Sequence, residues 1–149
     1  MGMLVTNHVL SGAVIGAAAR RPIPAFAAGV ASHFFLDSVP HWGKFSGRRK
    51  FLRVAVPDGL AGLAVMGIMA AIAPADRRTA VLAGMAGAAL PDLDKPSQLV
   101  FGRSPFPRRV DSFHRAIQRE APDRAHYEAV AALILVAVAV ALLRRHPGR

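Results

Sequence analysis

One stretch in the first third of the chain combines imidazole and carboxylate side chains in a spacing suited to metal binding. His33 and Asp37 are four residues apart in an apolar segment, so a helix would carry both on one face. Pro40 disfavours helical geometry at the residue before it, and His41 follows directly. Because imidazole and carboxylate groups bind divalent cations, this helix end is a candidate metal site.

A second stretch of the chain has a similar design. With a shift of 55 residues, Asp37 aligns with Asp92 at the end of another apolar segment. With a shift of 50 residues the preceding segments align as well, and His8 falls on Asp58. The pattern predicts two copies of a helix hairpin, each with a polar residue opening its first helix and an acid closing its second. The two hairpins cover residues 3–43 and 54–98.

The composition is that of a membrane protein. At 149 residues the chain has the size of one domain, which we assign to residues 1–149. Hydrophobic residues make up 53% and charged residues 19%, which is more apolar than most soluble domains. There is no cysteine, so a metal site would have to use His, Asp or Glu. The net charge is +10, but the basic residues lie between apolar segments, which argues against a nucleic-acid-binding surface.

Five apolar segments predict an all-α fold, a polytopic membrane bundle of about five helices. They are Met3–Ala19, Ile23–Val39, Val54–Ile72, Thr79–Leu93 and Tyr127–Leu143. We expect a basic loop over residues 99–124, followed by a C-terminal transmembrane helix over residues 125–143. Several segments are short for a bilayer span, so an alanine-rich soluble bundle is the alternative.

An alternating topology gives the protein an orientation. The N-terminus, the second loop and the fourth loop together carry more Lys and Arg residues than the other connections and the tail. The positive-inside tendency places the richer group in the cytoplasm, so we expect a multi-pass protein of the inner (cytoplasmic) membrane. The His, Asp and Glu residues near helix ends then face the cytoplasm, with Asp76 and His146 on the opposite side.

The candidate site consists of the imidazoles and carboxylates that this topology gathers at one face. As metal ligands we select His8, His33, Asp37, Asp92 and Asp94, and as catalytic residues Asp58 and His114. Two local explanations stay open. Asp58 follows Pro57 and could cap the N-terminus of a helix, and the segment 91–96 could be a simple turn.

These nitrogen and oxygen ligands suit a divalent transition metal, Zn, Mn or Fe, bound as one or two ions. A bound ion would lower the pKa of its water and polarise a phosphoryl or carbonyl oxygen. A basic rim could hold an anionic lipid headgroup beside it; its residues are Arg48, Arg49, Arg108 and Arg109. We therefore expect membrane lipids as partners and no nucleic acid.

The segments Gly87–Asp94 and Ser32–Asp37 resemble motifs of the bacterial membrane-bound metal-dependent hydrolase family (YdjM-like inner-membrane proteins). The first corresponds to a Gly-x-x-x-Pro-Asp-x-Asp motif and the second to a Ser-His-x-x-x-Asp motif. A third motif, His-Arg-Gly-x-Thr-His-Ser, is half present, because His114 and Arg115 are not followed by Thr-His-Ser. The resemblance implies a hydrolase in the inner membrane that depends on a bound metal.

The leading interpretation of the sequence is a membrane-bound metal-dependent hydrolase. It would act on a phosphoester or related bond of a lipid-associated substrate at the cytoplasmic face. One alternative is a non-catalytic integral membrane protein with a structural His/Asp cluster. The other is a proton or ion carrier.

Overall fold

A computed structural model describes residues 3–145, so His146 of the tail lies outside the described residues. Within this range the chain forms seven α-helices, one 3₁₀ helix and a ladder of two very short strands. The α-helices are α1 (Val5–Ala19), α2 (Pro22–Ser38), α3 (Arg48–Ile72), α4 (Ala75–Ala89), α5 (Asp94–Phe101), α6 (Arg108–Ile117) and α7 (Ala125–Arg144). The 3₁₀ helix, Leu90–Leu93, joins α4 to α5, and the strands are β1 (His41–Trp42) and β2 (Glu120–Ala121), which pair in parallel.

Helix α1 is the centre of the bundle, with α2, α3, α4 and α7 packed around it. Its side chains Val9, Leu10 and Ala13 are buried in the main apolar core. Helix α4 lies against both α1 and α2 at glycine contacts. A Cβ atom at Gly84 would collide with the carbonyl oxygen of Gly12, and one at Gly29 would collide with the carbonyl oxygen of Gly84. The three backbones therefore touch, as small residues permit.

The predicted all-α class is confirmed, and the five apolar segments correspond to α1, α2, α3, α4 and α7. The start of the third segment was wrong, because α3 begins at Arg48 instead of Val54 and continues through Pro57. A proline inside a helix removes the hydrogen bond to the carbonyl four residues earlier, here that of Arg53. Both residues are exposed, so polar surroundings can satisfy the freed carbonyl.

The region 99–124 is not a loop throughout, which corrects the second boundary. It contains the end of α5, all of α6 and strand β2. Helix α6 is polar and strongly amphipathic, with His114 buried on its inner side. A search for apolar segments cannot find such a short, charged helix, because its mean hydropathy is low.

Two helices, α3 and α7, are long and apolar enough to cross a membrane, with mean hydropathies of 1.8 and 2.2. Most of their large side chains point away from the bundle, and Leu63 and Leu133 are 66% and 71% exposed. The apolar helix α1 is shorter and lies in the interior. In a soluble bundle the apolar face of a helix packs inward. The outward faces of α3 and α7 make them candidate membrane spans.

Candidate metal centre

Three elements bring four potential ligands together at one end of the bundle. The last turns of α2 provide His33 and Asp37, the 3₁₀ helix after α4 provides Asp92, and α6 provides His114. One ligand atom from each residue lies within 4.8 Å of all the others, and all four residues are buried. This group could hold a metal ion. We refer to these four residues as the ligand group.

The backbone of α4 fixes the orientation of His33. Its Nδ1 atom lies 2.8 Å from the carbonyl oxygen of Ala88. A carbonyl can only accept a hydrogen bond, so this contact assigns the ring proton to Nδ1. The Nε2 atom then points into the ligand group. Orientation of a metal-binding histidine by a backbone carbonyl is a common feature of metal sites.

The imidazole nitrogens of the ligand group lie close to its carboxylates. His33 Nε2 lies 3.2 Å from Asp37 Oδ2 and 3.6 Å from Asp92 Oδ1. His114 Nε2 lies 2.8 Å from Asp37 Oδ2 and 3.0 Å from His33 Nε2. Both Nε2 atoms therefore face the Asp37 and Asp92 carboxylate oxygens. A cation bound between these atoms would satisfy them all.

His8 and Asp94 lie beside the ligand group. The His8 ring is fully buried and stacks on the His33 ring with centroids 3.9 Å apart. Its Nε2 atom is 3.3 Å from Asp37 Oδ1, but neither ring nitrogen has a hydrogen-bond partner among the described residues. Asp94 points towards Lys95, 4.0 Å away, and burial raises the pKa of its carboxyl. Both residues were predicted ligands, and the structure places neither within the ligand group.

Asp58 has a different position from the one expected. It lies in the interior of α3, so it does not cap its own helix. Its carboxylate instead accepts hydrogen bonds from the backbone amides of Val5 and Thr6, at 2.7 and 3.2 Å, and from the Thr6 hydroxyl at 2.6 Å. These amides belong to the first turn of α1, where a helix leaves its N–H groups without partners. Asp58 therefore caps a neighbouring helix.

Three further groups contact the ligand group and were not selected from the sequence. The Met3 amide donates to Asp37 Oδ1 at 3.1 Å. The Gln118 amide lies 3.2 Å from His114 Nε2 and 3.4 Å from Asp37 Oδ2, and its spacing of four from His114 was a usable signal. The Lys95 ammonium contacts Asp92 Oδ1, an oxygen of the ligand group. Burial would lower the pKa of Lys95, but the neighbouring carboxylates of Asp92, Asp94 and Asp37 together outweigh this effect and raise the pKa.

A second polar network holds the start of α7 at the same end of the bundle. The buried Glu128 carboxylate accepts hydrogen bonds from the Asn7 side chain at 2.6 Å and from the Trp42 backbone amide at 3.1 Å. His41 is buried in β1, and its Nδ1 is 2.8 Å from the Val39 carbonyl. It does not belong to the ligand group. The 91–96 segment is also no simple turn, since the 3₁₀ helix continues directly into α5.

Comparison with family models, with curated proteins and with solved structures gives no match to this chain. Function is therefore inferred from the chemistry of the site itself.

Proposed function

We propose that this chain is a multi-pass inner-membrane protein whose ligand group binds a transition metal and hydrolyses a phosphoester or related bond. The substrate is associated with the lipid bilayer, and the site faces the cytoplasm. The proposal agrees with the resemblance to YdjM-like membrane-bound hydrolases, whose Ser-His-x-x-x-Asp and Pro-Asp-x-Asp motifs supply three members of the ligand group: His33, Asp37 and Asp92.

The surface of the bundle supports a membrane location. Besides α3 and α7, helix α2 carries large exposed apolar side chains, with Ile23 82% and Phe35 68% exposed. Such a surface is unusually apolar for a soluble monomer and suits contact with lipid. Helices α1 and α4 are shorter than a typical span, but they lie among the others and need not match the bilayer thickness by themselves. The charge distribution orients the ligand group towards the cytoplasm.

The ligand group suits one ion with two nitrogen and two oxygen ligands. Zn²⁺, Mn²⁺ and Fe²⁺ accept this mixture, whereas Ca²⁺ and Mg²⁺ favour oxygen ligands alone. Between the imidazole nitrogens and their neighbours in the group, distances run from 2.8 to 3.8 Å. A tetrahedral ion with bonds of about 2.0–2.1 Å separates its ligands by roughly 3.3 Å, which lies within that range.

A bound ion would supply Lewis acidity and a water molecule of lowered pKa. The residues of the chain have separate tasks around it. Asp37 accepts from several donors and is the anionic centre of the site. The Gln118 amide can orient a ligand oxygen or a substrate oxygen nearby. His114, selected from the sequence as catalytic, is better explained as a ligand, because it belongs to the four residues whose ligand atoms converge.

The observation that carries the proposal is the convergence of two imidazole nitrogens, of His33 and His114, with two carboxylates in a buried space. Metal analysis tests it. We expect detergent-purified protein, stripped with a chelator and reloaded with Zn²⁺, Mn²⁺ or Fe²⁺, to retain about one equivalent of at least one metal. The His33→Ala and His114→Ala variants should each retain less than a tenth of that amount. His126→Ala is the matched control, since His126 is exposed on α7.

A metal content below one tenth in the wild-type protein would contradict the proposal for every metal tested. Loss of metal binding in His126→Ala as well would do the same, because binding would not be specific to the ligand group. For the reaction, we expect metal-dependent hydrolysis of a chromogenic phosphodiester in micelles, absent in His33→Ala. Metal binding without turnover on phosphate esters, carboxylic esters and amides would reject the hydrolase and leave the metal centre.

A second candidate function is structural: the bound metal would only join helix ends and would not catalyse a reaction. The observation in its favour is that four protein side chains converge, since structural sites are usually closed by four protein ligands and catalytic sites keep one position open. Here Asp37→Asn would lower the unfolding temperature of the loaded protein and no turnover would be found at any stage. Metal-dependent turnover in the wild-type protein would exclude this candidate.

A further inference from the structure

An apolar cavity of about 410 Å³ opens next to the ligand group, between α3 and the start of α5. Its walls are mostly aliphatic, including Leu60 and Leu63 of α3 and Leu99 of α5. Its size falls within the range of sites that bind small molecules. Leu60 and Leu63 are also exposed on the outside of α3, so the cavity lies beside the surface that faces lipid in the proposed function.

A second, polar cavity of about 410 Å³ adjoins the first. It is lined by Arg48, Gln98 and Gly102, and it shares the walls formed by Phe51, Lys95 and Leu99 with the apolar cavity. Two cationic side chains and one amide side chain therefore lie at one end of the apolar cavity. This arrangement matches an amphiphile with an anionic head and an aliphatic tail, because cations and amides bind phosphate oxygens while aliphatic walls bind hydrocarbon.

Lys95 connects these cavities to the metal centre. Its ammonium contacts Asp92 Oδ1, which is the Asp92 atom nearest to His33 and His114, and its side chain is only 20% exposed. A cation bound to the ligand group would compete with Lys95 for that oxygen. The ammonium would then be available to an anionic group in the polar cavity. Only Asp92 would separate this ammonium from the ion.

We propose that the two cavities together bind a single-chain lipid phosphate, with the phosphate at Arg48 and Lys95 and the aliphatic chain along α3. This assignment rests on the proposed function, which places α3 in lipid. The proposed function also gives a reason for a lipid headgroup to bind near the ion. Asp58 also lines the apolar cavity, but its carboxylate is already bonded to the start of α1. Asp58 therefore does not present an unpaired anion to the aliphatic chain of the lipid.

Glycine substitutions can test the apolar part without touching a ligand. Gly59 lines the cavity, and a Cβ atom there would meet nothing within 4 Å. Gly59→Leu would place a side chain into the cavity while improving the helix propensity of α3. Gly67→Leu is the matched control, because Gly67 lies in the same helix with equally open surroundings but does not line the cavity.

The probes are 1-oleoyl lysophosphatidic acid, monooleoylglycerol with the same chain and no phosphate, and glycerol phosphate without a chain. Binding to delipidated protein in detergent is measured by native mass spectrometry and by equilibrium dialysis. We expect one lysophosphatidic acid per wild-type chain, about tenfold or more weaker binding in Lys95→Met, and a similar loss in Gly59→Leu. Monooleoylglycerol should be insensitive to Lys95→Met but sensitive to Gly59→Leu, and Gly67→Leu should bind like wild type.

Equal affinity of wild type and Gly59→Leu for lysophosphatidic acid would overturn the assignment. So would equal affinity for lysophosphatidic acid and monooleoylglycerol, which would leave no role for the cations. The metal content of Gly59→Leu should equal that of wild type, so these outcomes are independent of the metal analysis. If lipid binding follows the expected pattern while no metal is retained, the lipid site stands and the hydrolase is rejected.

Discussion

Replacing Asp58 distinguishes a catalytic carboxylate from a helix cap. Its carboxylate accepts three hydrogen bonds from the first turn of α1, two from the amides of Val5 and Thr6 and one from the Thr6 hydroxyl. Asp58→Ala removes all three and leaves both amides without these acceptors. It also removes a negative charge from the positive end of the central helix.

The expected magnitude follows from the cap and the charge together. An N-cap side chain contributes about 0.5–2 kcal/mol, and a hydrogen bond to a charged group about 1.5–3 kcal/mol. The three bonds share one carboxylate at a half-buried position, so they are not additive. We therefore expect Asp58→Ala to lower the free energy of unfolding by about 2–4 kcal/mol. At about 2–4 °C for each kcal/mol, the unfolding temperature should fall by roughly 4–16 °C.

Circular dichroism in detergent measures this change, with Asp123→Ala as the control because Asp123 is exposed and makes no hydrogen bond among those described. Asp58→Asn should recover part of the loss, since asparagine is an equally good N-cap residue. Metal content should stay at the wild-type value in both variants. The reasoning is refuted if Asp58→Ala unfolds within about 1 °C of wild type, or if Asp58→Asn keeps full stability and loses all turnover. The second result would restore the catalytic role.

Two further predictions concern the packing of α4 against its neighbours. Arg77 is buried and donates to the carbonyl oxygens of Leu142 and Arg145, at 2.8 and 2.7 Å, so Arg77→Met should destabilise the protein by about 1–3 kcal/mol. The exposed Arg78→Met is its control, and equal thermal shifts in both would contradict this assignment. Gly84→Ala should lower the free energy of unfolding by about 1–3 kcal/mol or more, because the added Cβ would collide with the backbone of α1. Gly67→Ala, at an open position, should instead raise the free energy of unfolding by about 0.5–1 kcal/mol. A change of the same sign in both glycine variants would contradict the packing described.

The predictable part of the fold is the part written in local patterns. Long apolar runs located α1, α2, α3, α4 and α7, because burial or lipid contact selects apolar residues over a whole helix. The pair His33 and Asp37 followed from helical spacing alone, and their side chains do approach each other, at 3.2 Å. The placement of Asp92 and His114 at the same end of the bundle as this pair followed from counting helices and connections.

The parts that were not predictable depend on contacts between distant segments. No local pattern indicates that Asp58 bonds the start of α1, more than fifty residues earlier in the chain. Pro57 before it indicates a helix start, and only the packed bundle makes a helix through it. The orientation of His114 depends on α6, whose charged sequence gives no apolar signal. The segment 91–96 could be a simple turn by its sequence, yet its Lys95 contacts Asp92 of the ligand group.

The geometry of the ligand group is set by glycines that contain no ligand atoms. His33 and Asp37 belong to α2, whereas Asp92 and the carbonyl that orients His33 belong to α4 and the turn after it. The separation of these two backbones is fixed by the contact of Gly29 with Gly84, one turn before His33. A larger residue at either glycine would push the helices apart and move His33 and Asp37 away from Asp92. The arrangement of these imidazoles and carboxylates at the helix ends therefore depends on small residues on the helix faces.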